Sequence, residues 1–240
     1  MKTESGLLRR QLPLIGVAAF FCLFLAVPST YAQPPKWDVN LFRSINNSRS
    51  PFLDGAVGTN DYTVLPFAIA APVIFGGVGL VNKDAYTFDT GVMVGLSEAS
   101  AYVIYIVLKD VVIKRDRPYA ALSDVHTMHL DTADKYSMPS GHTTAAFAIA
   151  TALTLRYPKP YVYIPAYLWA SFVGYGRVYM GLHYPSDVLA GAALGTASAL
   201  AIHLLGPQIT RLREKVLGDD LGIQFSVLPT PPLVSLQIDF

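Results

Sequence analysis

Three groups of residues carry side chains suited to handling a phosphoryl group. They are Lys109 with Arg117-Pro118, then Pro139-Ser140-Gly141-His142, then Arg177 followed by His183 and Asp187. Lys109, Arg117 and Arg177 bring three positive charges. The main-chain amides around Ser140 and Gly141 open a helix whose amino end favours anions. Gly141 has no side chain to hold main chain away from an oxyanion, and the Ser140 hydroxyl can donate one more hydrogen bond. A phosphate dianion leaving water needs about that many donors.

The histidines supply reactivity. Asp187 lies four residues beyond His183, close to one helical turn, and Pro185 suits the first position of that helix. A carboxylate so placed keeps one imidazole nitrogen protonated and leaves the other free to attack phosphorus. His142, at the mouth of the anion site, can protonate the leaving oxygen and later take a proton from water. The result is two-step hydrolysis through a phosphohistidine. The cations offset transition-state charge, so the scheme needs no metal and no cofactor. Taken singly, each group has a plainer reading: cations at helix ends reach for headgroups, Ser140 caps a helix, and a histidine beside Tyr184-Pro185 is structural. Their conjunction favours the chemistry.

In order, Lys…Arg-Pro, Pro-Ser-Gly-His and Arg-x5-His-x3-Asp resemble the three signatures of the type-2 phosphatidic acid phosphatase superfamily. That superfamily also holds bacterial class A acid phosphatases and vanadium haloperoxidases. The resemblance implies a phosphatase in which Lys109, Arg117 and Arg177 hold the phosphate with Ser140 and Gly141 beside them. His142 is then the acid, His183 the nucleophile and Asp187 the group behind it. Two departures stand out. Seven residues separate Lys109 from Arg117 where the family pattern has six, so a distorted turn or a loop must absorb one residue if Lys109 is the ligand, with Lys114 as the fallback. Gly176 precedes Arg177 where the pattern prefers Ser.

The elements that must position these residues read as apolar helices. Only 15% of residues are charged and 52% are hydrophobic, and the mean hydropathy is +0.38. An average soluble domain carries about 25% charged residues. With 18 Lys+Arg against 17 Asp+Glu, no basic excess points to nucleic acid. Lys2, Arg9 and Arg10, an apolar run from Leu14 to Val27 and the small-x-small site Thr30-Tyr31-Ala32 read as a secretory signal over residues 1–32, cleaved after Ala32 or kept as an anchor. The single cysteine, Cys22, lies within it, so a cleaved chain has no disulfide.

A polar stretch from Gln33 to Asp61 reads as a surface helix and loop. Five apolar segments follow, approximately Tyr62–Val81, Gly91–Ile113, Thr143–Leu155, Tyr161–Gly181 and Ser186–Leu205. Most approach the ~20 residues that a bilayer core requires, and Gly, Ala and Ser within them permit close helix approach. The expected fold is an all-α membrane bundle of about five spans over residues 33–216, followed by a tail, 217–240. In that tail Gly222–Leu228 and Leu233–Phe240 alternate as a β-hairpin would. With a signal delivering Gln33 outside, Arg156, Lys159, Arg211, Arg213 and Lys215 fall on the cytoplasmic side. All three site groups then share the outer face of an inner membrane, open to the periplasm. Lys114, Arg115 and Arg117 break the positive-inside pattern and need another reason.

The implied partner is a phosphorylated lipid at the membrane. Phosphatidate, phosphatidylglycerophosphate, an isoprenyl diphosphate and lipid A all fit. A soluble periplasmic acid phosphatase and a vanadate-dependent haloperoxidase are the alternatives, and a scaffold or transporter is the non-enzymatic one. Glu98 stands inside an apolar helix eleven residues before Lys109, on a stripe with Tyr102 and Tyr105. It reads equally as a functional acid or as a polar contact between helices. Asp124, His126, His129 and Asp131 show no known metal-ligand spacing. Their loop, Tyr119 to Met138, flanks the site and can influence headgroup choice, and His203 reads as structural.

Overall fold

The structure, a computed structural model, describes residues 33–128, 134–218, 221, 223–227 and 234–238. The signal-like segment 1–32, with Cys22, lies outside the described residues, as do His129 and Asp131. In chain order the helices are α1 (Lys36–Asn46), α2 (Pro51–Asp61), α3 (Val64–Asn82), α4 (Ala85–Ile106), α5 (Pro118–Ala121), α6 (Gly141–Arg156), α7 (Pro160–Tyr179), α8 (Pro185–Leu204) and α9 (Gly206–Leu217). In the tail, β1 (Ile223–Val227) and β2 (Val234–Ile238) pair antiparallel, Ile223 opposite Ile238.

Local chemistry sets the helix starts. Ser50 caps α2 by accepting from the Leu53 amide, Asp84 caps α4 by accepting from Tyr86, and Pro51, Pro160 and Pro185 stand first in their helices. The expected apolar segments become α3, α4, α6, α7 and α8, with ends shifted by a few residues. Among the described residues three stretches are long and apolar enough to cross a membrane: Pro51–Asn82, Ala85–Ile113 and Pro185–Leu204. On α3, Leu65, Phe67, Ile69, Val73, Ile74, Val78 and Val81 are exposed over successive turns. An apolar helix with so little polar surface belongs in hydrocarbon, and the bundle is a membrane protein.

At the centre α6 packs against α4, α7 and α8 through small side chains. Ala146, Ala148, Ala150 and Ala152 are buried. A Cβ added at Gly195 of α8 would lie 2.2 Å from the Thr144 carbonyl oxygen, so the two backbones meet where no larger residue fits.

The Gln33–Asp61 stretch holds the expected surface helix, exposed along one face, and a second helix in place of the loop. It forms α1 and α2, which close over the end of the bundle where the site lies. Asp38, Phe42 and Asn46 recur every four residues on α1 and are all buried. Two of the three are polar, which hides the buried stripe from an apolarity pattern. Asn46 spends its amide on the Tyr179 carbonyl at 2.8 Å and on both main-chain groups of His126. Phe42 packs on Tyr184, and Val57 of α2 packs with Tyr179, Met180 and Leu182.

Candidate active site

α4 does not stop at Ile106 but continues as a π-helical turn, Val107–Ile113, ended by Lys114 in the left-handed region. The Lys114 amide bonds to the Lys109 carbonyl, five residues back. A π-turn holds one residue more than the α-helical turn it replaces. The extra residue between Lys109 and Arg117 is absorbed there, so Lys109 keeps its place in the site and Lys114 is not needed as the fallback. The Lys109 ammonium reaches back one turn to the Tyr105 hydroxyl at 3.0 Å and across to Asp134 at 2.7 Å.

Lys109, Arg117, Gly141, His142, Arg177 and His183 line a single cavity of about 510 Å³. The sequence clusters thus converge, although their segments lie far apart along the chain. Arg117 enters from the loop before α5. Its Nη1 donates to the Leu182 carbonyl at 2.8 Å and approaches His183 Nε2 at 3.1 Å, while Nε and Nη2 bond to Asp134. Arg177, at the end of α7, pairs with Asp61 of α2 at 2.7 Å and keeps a buried Nε without a hydrogen bond. His142, in the first turn of α6, has Nε2 3.9 Å from the same Asp61 oxygen.

A guanidinium can only donate, so the Arg117 contact makes His183 Nε2 the acceptor and puts the ring proton on Nδ1. Nδ1 faces Asp187 Oδ2 at 3.7 Å, an approach too long for a hydrogen bond. Burial, then the charges of Arg117, Arg177 and Lys109, hold the His183 imidazole well below its usual range, so the ring is neutral. A neutral imidazole with its Nε2 lone pair in a cationic cavity has the form of a nucleophile for phosphorus.

Asp187 is fixed independently of the histidine. It accepts from the Tyr184 amide at 2.8 Å and pairs with Arg115 at 2.7 Å. Arg115 also bonds to Ser186 Oγ at 2.6 Å and lies 3.5 Å from Asp38 of α1. Asp38 in turn accepts from both the amide and the hydroxyl of Ser186. Here is the other reason for a basic residue on this side of the bundle: Arg115 neutralises two buried acids.

The second signature lies less uniformly than its sequence suggests. Gly141 lines the cavity beside Tyr105, and a Cβ there would come 2.9 Å from the Tyr105 ring. Ser140 is fully buried and outside the cavity lining; its hydroxyl pairs with Thr143 at 2.9 Å and its amide bonds to the Asp187 carbonyl. The glycine before Arg177 also has a local reason, because a Cβ at Gly176 would sit 3.1 Å from Val57 of α2.

Sequence reasoning missed Asp61, Asp134 and Asp38, and it marked Arg115 as an unexplained charge without finding its partners. Asp134 gathers Lys109, Arg117 and the Tyr105 hydroxyl, the last at 2.6 Å. Burial would raise its carboxyl, but Lys109, Tyr105 and Arg117 outweigh that and hold it below the usual carboxylate range. Among the described residues no group of His, Cys, Asp and Glu is placed to hold a metal ion.

Residues 90–211 match the model of the PAP2 superfamily. The chain is 36% identical over 106 residues to an undecaprenyl-diphosphatase of Sulfolobus acidocaldarius, covering 43% of this chain and 50% of that protein. It is 48% identical over 61 residues to a lipid A 1-phosphatase of Porphyromonas gingivalis, covering 25% of this chain and 14% of the relative. The chain thus spans about half the length of the first relative and much less of the second. Among solved structures, the transmembrane PAP2-type phosphatidylglycerolphosphate phosphatase of Bacillus subtilis is similar with a TM-score of 0.63 at 28% identity, over 85% of this chain and 100% of that one.

Proposed function

From the premise that the chain belongs to the PAP2 superfamily, we propose that it is a membrane phosphatase that removes a phosphate monoester or terminal diphosphate phosphate from a lipid. One observation carries this reading. The cationic end of the cavity and an apolar flank lined by Val64, Leu65, Ala68 and Ile69 of α3 are one space. Leu65 and Ile69 are exposed on the face that meets hydrocarbon, so a lipid can enter sideways with its phosphate leading.

In the proposed reaction the incoming phosphate displaces Asp134 from Lys109 and Arg117, and Arg177 takes a third oxygen. Arg117 then releases His183 Nε2, which attacks phosphorus. The P–O bond to the lipid breaks as His142, protonated once the phosphate dianion is bound beside it, delivers that proton to the leaving oxygen. Water, deprotonated by His142, attacks the phosphohistidine; the P–N bond breaks, inorganic phosphate leaves and neutral His183 returns. Asp187 faces the Nδ1 proton and offsets the charge that develops on the ring. Gly141 gives the cavity room beside Tyr105, and Ser140 ties α6 to α8 from below. The residues assigned to this chemistry use no metal and no cofactor.

The site end of the bundle is assigned to the periplasmic face, with the helical domain over residues 33–216 and the tail beyond it. Arg156, Lys159, Arg211 and Lys215 at the opposite end support that orientation.

Release of inorganic phosphate by the purified protein, with chelator present, tests the reading across phosphatidate, phosphatidylglycerophosphate, undecaprenyl diphosphate and lipid A, with p-nitrophenyl phosphate as a water-soluble comparator. Turnover of a lipid phosphate well above the comparator is expected. Turnover of the comparator alone would overturn the lipid assignment.

A further inference from the structure

The phosphate chemistry leaves one carboxyl group of the cavity unused. Glu98 of α4 lines the same space as Lys109, His142 and Arg177, among Leu65, Ile69, Ala99 and Tyr102. Its Oε1 is buried without a hydrogen-bond partner. A polar atom in hydrocarbon with nothing to bond costs free energy unless a ligand completes it. The shape of α4 fixes where that ligand must offer its polar group. Lys109 reaches back to the level of Tyr105, and seven further residues lead to Glu98, which is roughly 10 Å along the helix axis. Tyr102 stacks on Tyr105 between these two levels, their centroids 5.9 Å apart.

We propose that Glu98 selects the lipid: it bonds a hydroxyl, ester or amide group at the acyl linkages of a phosphorylated acyl lipid, and so disfavours polyprenyl phosphates. This deepens the lipid-phosphatase reading and rests on it. A carboxyl group offers an accepting oxygen and, as the acid, an O–H donor, so it can serve a hydroxyl or amide N–H as well as an ester carbonyl. With its phosphate among Lys109, Arg117 and Arg177, an acyl lipid brings its linkages down the cavity toward Glu98. A polyprenyl chain brings only hydrocarbon there and leaves Oε1 unsatisfied. A site built around a hydrogen bond rejects an analogue that lacks it more strongly than an apolar wall rejects a change of size.

The test compares dioleoyl phosphatidate with undecaprenyl monophosphate in mixed micelles, using wild type, E98Q and E98L. Wild type is expected to prefer phosphatidate in kcat/KM. E98L should raise KM for phosphatidate about tenfold, with kcat within twofold, and leave the polyprenyl substrate unchanged or improved. E98Q, which keeps a donor and an acceptor, should stay within about threefold of wild type on both. Unchanged polyprenyl turnover also shows that E98L is folded. An equal response of both substrates to E98L, or a wild-type preference for the polyprenyl phosphate, overturns the role of Glu98 while leaving the phosphatase reading intact. No turnover of either lipid by wild type overturns that reading and the selection with it.

Discussion

Arg115 and Arg117 are two residues apart, equally buried, and turned to opposite sides of His183. Arg115 faces Asp187 and Asp38, whose side chains are fully buried, and does not line the cavity. Arg117 lines the cavity, and its ion-pair partner Asp134 has a side chain 48% exposed. The layer behind the histidine is closed, and its acids cannot be exchanged for another anion. The layer in front is paired with a carboxylate that a phosphate can replace. Between these two, whose residue type, burial and chain position nearly coincide, the accessibility of the counter-ion separates the structural arginine from the substrate-binding one; Arg177, whose partner Asp61 is itself buried, meets the cavity through its unbonded Nε instead.

The largest effect should come from the residue between the layers. His183→Gln removes the Nε2 nucleophile and should lower kcat by about 10⁴-fold or more, as loss of a nucleophile does elsewhere. Rapid quenching with radiolabelled substrate should trap phosphohistidine in wild type and none in the variant. Full activity in H183Q would remove the reason for dividing the site at this ring.

The two arginines provide the direct test. Arg115→Ala leaves Asp38 and Asp187 buried without their cation, a change that costs about 3–5 kcal/mol of stability for a broken buried pair. It should show as a large fall in the melting temperature of the detergent-solubilised protein. Arg117→Ala should instead lose transition-state stabilisation of order 3 kcal/mol, or about 100-fold in kcat, with a much smaller fall in melting temperature. Equal thermal losses in the two variants would break the distinction, because both guanidiniums would then be structural.

The two layers were not equally legible in the sequence. Lys109, Arg117, His142, Arg177, His183 and Asp187 carry a recognisable order and spacing, and the one-residue surplus before Arg117 required a distorted turn or a loop, of which the structure has the turn, as a π-helix. The acids that balance them carried no spacing signal. Asp61 sits at the end of α2, Asp134 in a loop and Asp38 on a helix whose buried face is largely polar, so periodicity found none of them. Charge balance was the available clue: three cations drawn out of water demand counter-ions. The cap formed by α1 and α2 was hidden for a related reason, since Asp38 and Asn46 are buried through hydrogen bonds rather than apolarity.

The smallest expected effect falls on the exchangeable partner. Asp134 holds Lys109 and Arg117, so an incoming phosphate must first break those contacts. Asp134→Asn removes the competing charge but keeps a side chain able to accept from both cations. The inhibition constant for inorganic phosphate should therefore fall several-fold, the loss of a partly exposed ion pair being worth up to about 1 kcal/mol and Asp134 making two. Because Asp134 lies on the solvent side, the melting temperature should stay near the wild-type value. Asp38→Asn makes the matching change behind the histidine and should leave phosphate inhibition unaltered while lowering thermal stability. If instead D134N binds phosphate no better, its carboxylate positions Lys109 and Arg117 rather than competing with the substrate, and the front layer is as closed as the rear.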